Sequence, residues 1–170
     1  MAKQGARVVT IEADPLAADR IRRAGLVHGS GRIELIEAAL SDKPGEVTFA
    51  GLGRSVVGSG KIIADGSAEV VESFLAEISR LNVLPLSLLN HERKERHRFV
   101  ADEVDVRQVP AVTLDGLCAE LGLRDVAILK MDIEGGELLA LRGGSRLIDG
   151  DFGTPPIVAF EYSALFPTRS

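Results

Sequence analysis

Asp132, Glu134 and Glu137 stand around two glycines at the end of a short apolar run, Val126 to Met131. Carboxylates so placed can bind a cationic group, accept a proton from a substrate, or hold a divalent metal through oxygen. An apolar run this short predicts a buried strand. Acidic groups at its carboxyl end lie where open α/β sheets bind their ligands. Gly135 and Gly136 permit close backbone approach or a positive φ at that corner. Asp132 and Glu134 are therefore the candidates for chemistry. A purely local role is open to the same two residues, as complements to the positive N-terminus of the helix that follows. Glu137 reads as first-turn stabilisation of that helix.

Two further carboxylates end strands in the same way. Glu12 closes the run Arg-Val-Val-Thr-Ile-Glu just before Asp14-Pro15. An acid there can accept both hydroxyls of a ribose, or it can be a solvated strand end. Glu161 closes Ile-Val-Ala-Phe-Glu and points to the same rim as Asp132. The segment Ala38-Ala-Leu-Ser-Asp42 ends another strand. Its small residues would let a flat ring approach the backbone, with Ser41 or Asp42 bonding the ring's edge, although a strand end followed by a turn explains it equally.

Other reactive residue types carry less. His91 and His97 are six apart, on different faces of a helix and without metal-ligand spacing. They lie in the charge run of residues 90–98, which reads as a solvated face. His28 precedes Gly-Ser-Gly and reads as a loop residue. Gly58-Ser-Gly-Lys61 lacks the upstream glycine and the following Ser or Thr of a phosphate loop. Cys118, the single cysteine, excludes an internal disulfide and reads as a small core residue. No metal is assigned.

The elements that must position these residues alternate. Residues 7–12 predict a strand, and Asp14 and Pro15 an N-cap and first helical position for a helix to about Ala24. Residues 33–39 predict a second strand, 41–45 a turn, 46–49 a short extended piece and 51–60 a loop. Ser67 opens an amphipathic helix through residue 81. Residues 104–112 look extended, and Thr113 opens a helix to about Leu121. The strand at 126–131 is followed by a helix with Leu138, Leu139, Leu141 and Leu147 on its apolar face. Residues 157–161 predict a last strand. Such alternation implies βαβ units and a mostly parallel sheet, with residues 50–103 as a variable insertion.

The 170 residues suit one domain that buries roughly two-thirds of its unfolded surface. With 4% aromatics and no Trp, the core must be built from Leu, Val, Ile and Ala. A net charge of −5 argues against a nucleic-acid surface. No apolar stretch approaches the ~20 residues of a membrane span, and residues 1–7 show no secretory apolar region. The expected compartment is the cytoplasm, and the expected partner a small molecule.

In order along the chain, these pieces resemble the FkbM-type methyltransferases. Val9-Thr-Ile-Glu-Ala-Asp-Pro15 looks like the family's strand and Glu-Pro-Asp type turn, with Ala13 where Pro is usual. Ala38-Ala-Leu-Ser-Asp42 with Gly45-Glu-Val-Thr-Phe49 is similar to its Ala-Leu-Ser-Asp block. Val112-Thr-Leu-Asp-Gly-Leu117 resembles its Thr-Leu-Asp element. Leu129-Lys-Met-Asp-Ile-Glu-Gly-Gly-Glu137, with Leu141-Arg-Gly143, is similar to its most specific motif. The resemblance implies a Rossmann-like class I methyltransferase fold and S-adenosylmethionine as cofactor. It implies that Glu12 binds the cofactor ribose, that Ala39 lies near the adenine, that Asp132 lies near the methionine end and that Glu134 lines the acceptor site. The implied reaction is O-methylation of a hydroxyl on a sugar or another secondary metabolite.

The family has an earlier central strand and a Gly-rich turn ahead of the strand that here starts at Arg7. The sequence is thus read as an N-terminally truncated domain. Strands flanking the missing one would expose unpaired edges, so weak or absent cofactor binding and self-association are expected. Two other functions compete: a catalytically silent remnant serving as an interaction module, and a nucleotide-dependent oxidoreductase using Glu12 for an NAD ribose. The second leaves residues 132–137 without a role.

Overall fold

The computed structural model describes residues 6–24, 33–51, 60–63 and 105–160. The expected helix at 67–81, the charge run at 90–98 with His91 and His97, and His28 lie outside the described residues. Along the chain run β1 (Val8–Glu12), α1 (Pro15–Arg23), β2 (Ile33–Glu37), β3 (Ala39–Leu40), β4 (Gly45–Gly51) and β5 (Gly60–Ile63). Then come β6 (Asp105–Val112), α2 (Leu114–Glu120), β7 (Ile128–Met131), α3 (Glu137–Arg142), α4 (Ser145–Ile148) and β8 (Ile157–Phe160). Among the described residues, no helix is long and apolar enough to cross a membrane.

The α/β character is as expected, but the sheet is divided. β1 pairs with β2 and β7 with β8, both in parallel, as two separate two-stranded sheets. The remaining strands form a mixed sheet in the order β3-β6-β4-β5. Its centre, β6, runs parallel to β3 and antiparallel to β4. The turn of residues 41–44 is too short for a parallel crossover. It reverses the chain across the end of β6, where Ala111 pairs with both Ala39 and Gly45.

β5 was not foreseen, because glycine at positions 51 and 60 reads as loop. The two glycines are register partners at the end of the β4–β5 pair. The Phe49 ring lies over them, and a Cβ on Gly60 would overlap that ring. Glycine here makes room for an aromatic residue that is itself buried.

Local signals place α1 and α2 as expected. The Asp14 carboxylate accepts from Leu16 N–H at 2.9 Å, with Pro15 in the first helical turn. Thr113 Oγ1 accepts from Gly116 N–H at 3.0 Å. The predicted helix after β7 is instead two short helices, because Gly143 and Gly144 interrupt it. Leu147 is buried on α4, while Leu138 is 51% exposed and leaves the expected apolar face.

One core joins the two parallel sheets. Leu40, Leu114, Leu117, Met131, Ala140 and Leu147 are buried together, with Ile11, Ile36, Leu129 and Val158 packed against them. β7 is buried on this side only: Leu129 and Met131 face the core, whereas Ile128 and its register partner Ile157 are exposed. The expected buried strand is thus buried on one face only. Arg7 ties the β1–β2 sheet to this body, gripping the Glu34 carboxylate at 2.7 and 3.1 Å and donating to the Leu121 carbonyl at 3.0 Å. The guanidinium groups of Arg124, ahead of β7, and Arg146, on α4, lie 5.6 and 5.1 Å from the centroid of the buried Phe152 ring.

The α3–α4 junction packs closely against the end of β3 and the start of α2. Gly143 O accepts from Asp115 N–H at 3.0 Å, and a Cβ on Gly143 would overlap the Ser41 carbonyl oxygen. Asp115 then accepts from the N–H groups of Arg146 and Leu147 at 3.1 and 2.9 Å. It therefore caps α4, whose own N-cap, Gly144, has no side chain to do so. Gly143→Ala should destabilise the fold by roughly 2–3 kcal/mol, an overpacking cost. Gly122→Ala, at φ +61° with open space around it, should cost only about 1 kcal/mol, the strain of a left-handed Ala. Urea unfolding of both variants checks this, and equal losses would contradict the contact.

Candidate functional site

The site is built from two strand ends over the common core. Ile11 and Met131 pack on that core, and the next residues along the chain are Glu12 and Asp132. Each stands at the carboxyl end of a strand in a parallel pair, and ligands bind at such ends in open α/β sheets.

At the first corner, Glu12 is half-buried and folds over its own turn. Its Oε1 accepts from Asp14 N–H at 2.8 Å. Burial pushes the Glu12 carboxyl above its ordinary value of 4.5, against the opposing pull of the hydrogen bond from Asp14. The strand that carries Ala39 adjoins this turn, because Ala38 N–H donates to Glu12 O at 3.1 Å. Ala39 itself is buried, clustered with Phe49 and Val109 and with Ala13 packed against it. Glu12 and Ala39 are thus brought together, as one corner. Ser41 is buried and held to β6 by its N–H to Val112 O at 2.9 Å.

At the second corner, Asp132 is exposed and pairs with Lys130, Nζ to Oδ2, at 3.3 Å. Strand alternation puts residues two apart on one face, so Lys130 shares the side that Asp132 uses. Sequence reasoning gave Lys130 no role, although the period of two was there to find it. Residues 133–136 form a turn in which Gly136 N–H donates to Ile133 O at 3.2 Å. Its central residues, Glu134 and Gly135, have φ of +52° and +95°. Positive φ at both central positions marks a type I′ turn. Glycine suits the second position, whereas Glu at the first is strained by about 1–2 kcal/mol. Such strain concentrates at functional sites. Glu137 stands in the first turn of α3, as expected, and its Oε1 also accepts from Ile133 N–H at 3.2 Å. Glu161 lies outside the described residues.

The described residues form an α/β domain with acidic residues at the ends of β1 and β7. The chain belongs to the FkbM methyltransferase family: the profile described as Methyltransferase FkbM domain matches residues 1–167. The family implies a class I methyltransferase fold. Comparison with curated proteins and with solved structures gave no match.

Two predictions follow from the corners. Glu134→Asn should be at least as stable as the wild type, because Asn tolerates the left-handed region, whereas Glu134→Val should fall roughly 1–2 kcal/mol below it. Chemical unfolding of the pair checks the turn. For Glu12, a raised folded value means that the folded state holds the proton longer than the unfolded state. Its contribution to stability is present below 4.5 and is lost as pH rises through the raised folded value. Glu12→Gln, which keeps an acceptor for Asp14 N–H, should therefore gain stability relative to wild type as pH rises across that window. A constant difference between the two pH profiles would refute the burial effect.

Proposed function

We propose that this domain transfers a methyl group from S-adenosylmethionine to a hydroxyl of a sugar or other secondary metabolite. The observation that carries the reading is the placement of the Glu12 corner and the Asp132–Glu134 turn at the ends of parallel strands over one core. Glu12 fits a ribose, because its half-buried carboxylate is anchored by Asp14 N–H and is short of solvation. Two hydroxyl donors would supply what water no longer does. Ala38 and Ala39, buried against the same turn, are proposed to lie beside the adenine. When bound, the cofactor supplies an electrophilic methyl carbon on a sulfonium.

Asp132 is the proposed base. With the cofactor bound, methyl transfer to the acceptor oxygen would release S-adenosylhomocysteine, and the Asp132 carboxylate would accept the hydroxyl proton. The Lys130 ammonium at 3.3 Å orients that carboxylate. Glu134, on its strained turn, faces the acceptor, and Glu161 is proposed for the same rim. Most of the acceleration would come from holding the hydroxyl in line with the methyl group.

Calorimetry with S-adenosylmethionine, S-adenosylhomocysteine and NAD tests the reading. The expected result is weak binding of the first two, on the order of 0.1–1 mM, and none of NAD. Glu12→Ala should abolish it. Asp132→Asn should leave S-adenosylhomocysteine affinity within a few-fold and cut turnover about 10²-fold or more, the usual worth of a general base. Full turnover by that variant would remove Asp132 from the base role. No binding of either sulfur compound would overturn the cofactor assignment in favour of a silent interaction module.

A further inference from the structure

We infer that Glu137 is a positioning residue: its carboxylate fixes the turn that carries Asp132 and Glu134. Ile133 is tied at both of its backbone groups. Its carbonyl accepts from Gly136 N–H at 3.2 Å, and its N–H donates to Glu137 Oε1 at 3.2 Å. The side chain of the first α3 residue thus reaches back across the whole turn, while the α3 N-cap, Gly136, offers no side chain of its own. A type I′ turn with Glu at its first central position does not hold itself, since that residue favours negative φ. The clamp at Ile133 opposes the relaxation. Asp132 precedes Ile133 directly, so the direction of its carboxylate depends on the plane of that clamped peptide.

A carboxylate in a helix's first turn has a competing use, as a charge complementing the helix N-terminus. The two uses separate by substitution. Glu137→Gln keeps an acceptor oxygen at full reach and loses the charge. Glu137→Asp keeps the charge in the first turn and is one methylene too short for Ile133 N–H.

The test measures amide hydrogen exchange across residues 132–136 by NMR and S-adenosylhomocysteine affinity by calorimetry, on the full chain. Positioning predicts that Glu137→Gln stays within about twofold of wild type in both readouts. It predicts that Glu137→Asp exchanges Ile133 N–H faster and binds more weakly, each roughly fivefold to tenfold, as one lost hydrogen bond gives. The reverse ranking, or two variants that both match wild type, would overturn it. The affinity readout rests on the proposed methyltransferase reading, whereas the exchange readout does not. If the wild-type chain binds no S-adenosylhomocysteine, the functional reading falls, and the exchange ranking alone still decides the role of Glu137.

Discussion

The close approach of Gly143 to the Ser41 carbonyl is the constraint on which the rest of this structure depends. It brings three segments that are distant in sequence to van der Waals contact: the end of β3, the start of α2 and the α3–α4 junction. Each segment then satisfies another's backbone. Ser41 N–H bonds to the end of β6, Asp115 N–H bonds to Gly143, and the Asp115 carboxylate caps α4. Buried backbone groups must find partners, and this junction supplies them from within the chain. A side chain at Gly143 would push against the Ser41 carbonyl and strain this junction.

From that junction the two acidic corners inherit their places. α3 is anchored at its C-terminal end by Gly143, so its N-terminal end, with Glu137, is held over the end of β7. Ser41 fixes the strand that abuts the Glu12 turn. The two corners are coupled to one packed core, and packed cores transmit displacement with little give. Each corner also carries a cost: a partly desolvated carboxyl at Glu12 and a left-handed backbone at Glu134. Groups held in unfavourable states at a strand-end rim are typical of ligand sites.

The division of the sheet has a simple cause among the described residues. Each parallel pair contributes one side to the shared core, and the opposite side of β7–β8 carries Ile128 and Ile157 in the open. In the mixed sheet, the four-residue turn between β3 and β4 leaves room only for a chain reversal, whereas β1–β2 and β7–β8 are each joined through helices.

The sequence by itself determined the local structure and the family. Asp14-Pro15 and Thr113 mark their helix starts through side-chain capping, which depends only on near neighbours. Runs ending in Glu12 and Asp132 mark strand ends, and the Asp132–Glu137 block with its partner blocks identifies the methyltransferase family. What only the tertiary structure decided is what those residues touch. Asp115 caps a helix 30 residues away in the chain, Gly60 is glycine because of Phe49, and the helix after β7 breaks where Gly143 meets Ser41. Glu137 stands in the first turn of its helix and also accepts from Ile133 N–H in the turn behind it. Capping and periodicity are written into adjacent residues. Close approach between distant segments is not, because it depends on where the packed core places each backbone.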